Sequence, residues 1–321
     1  MASESKTAIY AALFGNLAIA ITKLIAASVT GSSAMVSEAI HSIVDTGNEI
    51  LLLLGLHLSK KRADIEHPYG HGRELYFWSL IVALAIFAVG GGVSLYEGIA
   101  HIRHPQLMAD PFWNYVVLAF AFVFEGISWV FGWRAFRKSK GKQGIIEAIH
   151  TSKDPSTFIV TFEDTGALLG LLIAFLGVFL GHSLNNPYLD GIASILIGVM
   201  LSTMSAFLAY ETKGLLIGEG YPRETLRALR ALIATDQGVE HVNRVLTMFL
   251  GPDEVMLTIE LRFRRDLSFA EVRNAIARVK DLVREKHPEI KRIYFAAESL
   301  SEQHRGKEED VEHSSASSLT S

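Results

Sequence analysis

The chain has 321 residues, enough for one or two domains, and it is half hydrophobic, with only 20% charged residues and a mean hydropathy of +0.28. It holds no cysteine, which excludes disulfides and thiolate metal ligands and leaves nitrogen and oxygen donors for any bound metal. The formal net charge of −4 says little about partners, and no nucleic-acid partner is expected.

Six long apolar stretches follow one another: Ile9 to Val29, Ser33 to Leu58, Leu75 to Ile102, Phe112 to Trp133, Ser156 to Phe179 and Tyr188 to Tyr210. Each supplies the roughly 20 residues a helix needs to cross about 30 Å of hydrocarbon. A large soluble bundle is the alternative, but little amphipathic helix is left to cover its outside. The first stretch reads as a retained span rather than a leader peptide, because Lys23 interrupts it and a second apolar stretch follows at once. A multi-pass membrane protein is therefore expected, in the inner membrane if the source is bacterial.

Basic residues choose the orientation. Lys60, Lys61, Arg62 and Arg73 lie between spans two and three, and Arg134, Arg137, Lys138, Lys140, Lys142 and Lys153 between spans four and five. The other connections are short and weakly charged, so the positive-inside bias places both termini in the cytoplasm.

From residue 219 the composition becomes that of a soluble protein. Pro222 to Thr235 is predicted helical, Val242 to Leu250 and Val255 to Arg264 as strands around a Gly251-Pro252-Asp253 turn, Leu267 to Lys286 as a helix capped by Ser268 with Glu271, and Ile290 to Ala296 as a strand. The expected organisation is a six-helix transmembrane domain over 1–218, a small α+β domain over 219–300 and a disordered polar tail over 301–321. Gly90-Gly91-Gly92 lies inside a span and lacks the Lys-Ser/Thr of an ATP-binding loop, so ATP-driven pumping by this chain alone is not expected.

Ionisable residues within the spans carry the functional signal. Span two holds Glu38, His41, Asp45 and Glu49, whose spacing puts them on one side of a helix; span five holds Glu163 and Asp164, and span four a solitary Glu125. Charges in hydrocarbon are costly and normally face a bundle interior or an ion path. His41 and Asp45, one turn apart, offer nitrogen and oxygen to one ion. Metal or proton transport, another membrane function, and polar cross-linking of helices all remain open on these residues alone.

Four segments together resemble the cation diffusion facilitator family, closest to its zinc-transporter-like branch: Gly31-Ser32-Ser33-Ala34-Met35-Val36-Ser37-Glu38-Ala39-Ile40-His41-Ser42-Ile43-Val44-Asp45, His67-Pro68-Tyr69-Gly70-His71-Gly72-Arg73-Glu74, Phe162-Glu163-Asp164-Thr165-Gly166 and Leu189-Asp190-Gly191-Ile192-Ala193-Ser194. The resemblance implies six transmembrane helices, a ferredoxin-like cytoplasmic domain, a homodimer, and alternating access that exchanges metal for protons. It also implies a central metal site with two ligands four apart on span two and two on span five. His41, Asp45 and Asp164 fill three places, while the fourth falls on Val160, which cannot ligate. Water, Glu163, or a span-two carboxylate (Glu38 or Glu49) completes the set, or three protein ligands suffice.

An imidazole can release a proton to bind metal and regain it when metal leaves, so metal and proton compete at His41. Asp64, His67 and His71, between spans two and three, stand where some relatives hold a peripheral metal, but a turn organised by Pro68, Gly70 and Gly72 is the favoured reading of them. The segment Tyr294 to Ser299 lacks the histidine and aspartate of metal-sensing relatives, and His241 and His287 read as surface residues. Lys23 and Asn16 read as packing or gating groups. The favoured function is zinc efflux by metal/proton antiport, with no cofactor and no enzymatic activity. The expected partners are the metal ion, protons, the lipid bilayer and a second copy. Broad transport of manganese, cobalt, iron or cadmium is one alternative, and a membrane scaffold or sensor that binds metal without moving it is another.

Overall fold

The computed structural model describes residues 2–105, 112–140, 144, 145, 149 and 152–297, the side chains of 2–15, 135, 138–140, 156, 157 and 297 excepted. The expectation of a disordered tail over 301–321 therefore lies outside the described residues. The chain divides into two compact units, one of Met1–Glu219 with Phe249–Glu254, the other of Gly220–Met248 with the described residues from Val255 on.

Among the described residues of the first unit, six long helices stand out: α1 (Ala2–Thr30), α2 (Ser33–Ser59), α3 (Glu74–Arg103), α4 (Phe112–Lys140), α5 (Pro155–Ser183) and α6 (Tyr188–Ile217). Each falls on one of the six apolar stretches. Helices α2 to α6 contain five segments long and apolar enough to span a membrane, and in α1 the described apolar portion is Asn16–Thr30. Phe120, Phe124, Ile127 and Phe131 of α4 are each more than half exposed. A row of bare aromatic and aliphatic side chains is untenable in water and natural against lipid, which removes the soluble-bundle alternative. The protein is a multi-pass membrane protein.

The turn between α1 and α2 is set by Gly31, whose φ of 71° suits glycine. Ser32 then caps α2, its hydroxyl accepting from the Met35 amide at 3.2 Å. Helix α3 carries a π-helical turn over Ile86–Gly91, which the apolar pattern did not announce. Helices α3 and α6 touch backbone to backbone: a Cβ at Gly98 would stand 2.7 Å from the Gly191 carbonyl oxygen, and one at Gly198 would stand 2.8 Å from the Leu95 amide nitrogen. Small residues at such crossings replace the hydrophobic drive that lipid cannot supply. Helix α6 runs past Tyr210 to Ile217, longer than its apolar stretch predicts, with Thr212 and Leu215 buried.

Apart from Phe249–Glu254, at the β1–β2 turn, the second unit holds the order helix, strand, strand, helix, strand: α7 (Arg223–Ile233), β1 (Val239–Gly251), β2 (Glu254–Phe263), α8 (Phe269–Lys286) and β3 (Ile290–Ala297). The sheet order is β1-β2-β3; β2 and β3 run parallel, pairing Leu257 with Ile293 and Ile259 with Phe295. Parallel neighbours need a long crossover, and the 18 residues of α8 supply it. Alternation on β2 buries Val255, Leu257, Ile259 and Leu261, which share the interior with Leu229 and Ile233 of α7 and Ala275, Val279 and Val283 of α8. The arrangement is α+β and ferredoxin-like. Ser268 and Glu271 form the predicted reciprocal cap. Pro222 is the N-cap of α7 rather than a residue within it, because its ψ of 151° is extended.

Candidate metal centre

The amphipathic stripe of α2 separates into two parts. Glu38 and Ser42 face α1, where Lys23 donates to Glu38 Oε2 at 3.1 Å and to Ser42 Oγ at 2.8 Å. One turn beyond Glu38, His41 is buried with Nδ1 3.3 Å from Asp45 Oδ1. A Cβ at Gly166 of α5 would lie 3.9 Å from His41 Nε2, in van der Waals contact with the ring, and closer still, at 3.1 Å, to Met204 Cε of α6. Glu49, one turn past Asp45, accepts from Asn16 Nδ2 of α1 at 2.8 Å.

A small cavity of about 20 Å³ lies beside this stripe, room for one water-sized particle. From α2 it is lined by Ser42, Asp45 and Glu49, from α5 by Val160, Glu163 and Asp164, from α1 by Asn16 and from α4 by Glu125. Ser128 of α4 donates to Asp164 Oδ2 at 3.1 Å, and Asn48 of α2 donates to Glu163 Oε1 at 2.8 Å. His41 Nδ1, His41 Nε2 and Asp45 Oδ1 are buried without a hydrogen-bond partner. A buried polar group left unpaired costs about 1–3 kcal/mol, so these atoms are suited to hold an ion or a proton. The donors are one imidazole and several carboxylates, a set compatible with zinc and with harder divalent ions.

Asp45, Glu49, Glu163 and Asp164 thus share one cavity, with His41 joined to it through Asp45. Glu38 stands apart: its partner is Lys23, and its carboxylate rests against Gly170 of α5. The sequence named Lys23, Asn16 and Glu125 without placing them. Charge periodicity along one helix cannot reveal a pair across helices, although an unaccompanied lysine and glutamate in two apolar stretches were the available signal.

Asp64, His67 and His71 meet in the connection between α2 and α3, with potential ligand atoms all within 4.8 Å of one another. Asp64 Oδ1 accepts from the His67 amide at 2.6 Å, and His71 Nε2 lies 3.0 Å from Asp64 Oδ2. These bonds, that of His71 first, hold the Asp64 carboxyl at about 2, below the usual carboxylate range. Gly70, at φ 84°, makes the turn. Turn and ligand cluster are one structure here, since the hydrogen bonds that shape the loop also gather the donors.

Asp190, at the start of α6, accepts from Ser32 Oγ at 2.6 Å, Ser33 N at 2.5 Å and Ser33 Oγ at 3.0 Å. It caps α2 from another helix, supplying negative charge to unpaired amides. The motifs around Ser32 and Asp190 are thus two halves of one contact.

The sequence profile of the cation efflux transmembrane domain matches residues 9–217. The chain belongs to the cation efflux, or cation diffusion facilitator, family. This is a family of transporters rather than enzymes. Among relatives, this cation efflux protein is 36% identical over 243 residues to the Xenopus laevis proton-coupled zinc antiporter SLC30A9, mitochondrial, covering 75% of this chain and 44% of that one. It is 28% identical over 262 residues to metal tolerance protein C4 of Arabidopsis thaliana, covering 81% of this chain and 57% of the relative. The manganese efflux system protein MneP of Bacillus subtilis (strain 168) matches at 26% identity over 312 residues, 94% of this chain and 97% of that one. The chain spans less than half the length of the zinc antiporter it resembles.

Proposed function

We propose that this protein exchanges a divalent metal ion, zinc first, for protons across a membrane, using His41 and Asp45 of α2 and Asp164 of α5 as the transport centre. The observation that carries the reading is the small cavity in which carboxylates of α2 and α5 converge while His41 and Asp45 offer buried atoms without a hydrogen-bond partner. Metal binding at such donors displaces protons, and protonation displaces metal, so two ions that cannot occupy the centre together are exchanged through it. A site between two helices also changes its access when the helices shift against each other. Similarity to a protein named as a proton-coupled zinc antiporter supports zinc and antiport. Glu163 and Glu49 are candidates to complete the coordination, whereas the Lys23 bond makes Glu38 a weaker one.

The remaining assignments belong to the same reading: both termini cytoplasmic, a transmembrane domain over 1–218, and an α+β domain over 219–300 that helps hold a homodimer. A domain of that size forms a limited core alone, which favours pairing. A second reading, broad transport including manganese, is favoured by the predominance of oxygen donors and by similarity to a protein named for manganese efflux. Metal uptake into sealed vesicles carrying the purified protein, with zinc, manganese, cobalt, iron and cadmium in competition and internal pH recorded, tests both. Zinc flux accompanied by opposite proton movement is expected. Saturable binding with no flux above empty vesicles would leave a sensor or scaffold instead.

A further inference from the structure

We infer that Glu125 of α4 is a ligand of this centre, supplying from a third helix the carboxylate that the α5 wall lacks at Val160. The inference rests on the transport reading above and adds a residue to it. One turn before Asp164, Val160 lines the cavity and has no donor atom, so α5 presents a gap in the ligand wall at that level. Glu125 reaches the same cavity from α4 and is 8% exposed.

The nearby cation does not account for Glu125. Its Oε1 lies 3.9 Å from Lys23 Nζ, well beyond the roughly 2.7–2.9 Å of a charge-assisted hydrogen bond. Lys23 already donates at 3.1 Å to Glu38 and at 2.8 Å to Ser42. Glu125 is therefore a buried carboxylate within ion-pair range of the lysine but not hydrogen-bonded to it, and it lines the cavity.

Helix α4 is also fixed at the depth this role requires. Glu125, Ser128 and Gly132 follow at three- and four-residue intervals and lie along one face. Ser128 bonds Asp164 at 3.1 Å, Trp129 Nε1 donates to Thr165 Oγ1 at 3.0 Å, and a Cβ at Gly132 would stand 3.3 Å from Asp164 Oδ2. The helix that carries Glu125 is thus tied to the helix that carries Asp164. An independent sign that an ion belongs here comes from His41, which is 1% exposed with neither ring nitrogen hydrogen-bonded and with Nδ1 3.3 Å from cavity-lining Asp45. With Glu125 the centre offers one imidazole and three carboxylates, which shifts its preference toward harder divalent ions such as manganese.

The test uses the full-length protein in detergent and in sealed vesicles, with zinc and manganese as probes. Glu125→Gln keeps the shape and removes the charge; it should weaken zinc binding by calorimetry at least about tenfold, with the thermal unfolding midpoint unchanged. The deciding variant is Val160→His in the Glu125→Gln background, with Val160→Asp where an imidazole does not fit. A donor restored on α5 should return zinc affinity to near the parental value, and Val160→His should favour zinc over manganese. Parental affinity in Glu125→Gln would overturn the inference and leave the transport reading intact. So would a loss that neither Val160 variant repairs and that comes with a lowered unfolding midpoint, since that pattern belongs to packing. If the parent neither binds nor moves metal, the transport reading itself falls.

Discussion

The Lys23 ammonium meets the Glu38 carboxylate at 3.1 Å, and neither side chain is exposed. Such a pair gains little over well-packed apolar residues, but each partner alone is a stranded charge. Lys23→Met should therefore destabilise the protein by about 3 kcal/mol, and Lys23→Met with Glu38→Leu should recover most of that loss. Thermal unfolding of the purified variants in detergent gives the comparison, and a double variant as unstable as the single one would mean the pair is not the unit of stabilisation.

Asp45→Asn and Asp164→Asn preserve shape and remove the charge that a metal uses. Each should abolish most zinc flux in vesicles while expression and unfolding stay close to the parent. Asp164 also accepts from Ser128 at 3.1 Å, a bond the amide oxygen of asparagine can still accept, which makes the pair of variants a fair separation of charge from packing. Parental flux in both, together with parental flux in His41→Ala, would remove these residues from the centre.

His41→Asp exchanges the nitrogen donor of the proposed centre for oxygen. Zinc selectivity over manganese should fall, because imidazole suits zinc and carboxylates suit harder ions. The readout is the ratio of zinc to manganese uptake under competition, and an unchanged ratio would place selectivity elsewhere.

Asp190 gathers two hydroxyls and the Ser33 amide at the start of α2. Asp190→Ala leaves buried donors unpaired and should cost about 2 kcal/mol. Hydrogen exchange should quicken at the amides of Ser33 and Ala34. Unaltered exchange there would show that Ser32, through its 3.2 Å bond to Met35, caps the helix without help.

The Asp64 carboxyl is held at about 2 by the His71 hydrogen bond and then by the His67 amide. A depressed acid stabilises the loop above the ordinary carboxylate pKa near 3.9, and that stabilisation is lost as pH falls through about 2. Between pH 5 and 8 Asp64 therefore stays ionised and contributes no pH dependence. His71→Ala should raise its titration midpoint toward the ordinary value, followed by carboxyl carbon NMR on the labelled full-length protein; an unmoved midpoint would assign the depression to the backbone bond alone.

Membrane architecture was legible in the sequence because a bilayer imposes a length and a composition on every crossing, and the six apolar stretches could not be read much otherwise. The αββαβ order was legible for a similar reason: alternation on Val255 to Leu261, the Pro252-Asp253 turn and the Ser268-Glu271 cap are local signals that packing did not overrule. The spacing of His41 and Asp45 also placed both on one face of α2 before any tertiary contact was considered. Contacts between helices distant in sequence were not legible, because helical periodicity gives the face of a residue but neither its depth in the bundle nor its neighbour. Only the tertiary structure divided the α2 stripe, sending Glu38 to Lys23 and Asp45 to the cavity, and only it brought Glu125 of α4 beside Asp164 of α5 and Asp190 of α6 onto the first turn of α2. In a membrane interior those choices are governed by the cost of an unpaired charge, and which partner relieves that cost is decided by how the helices pack.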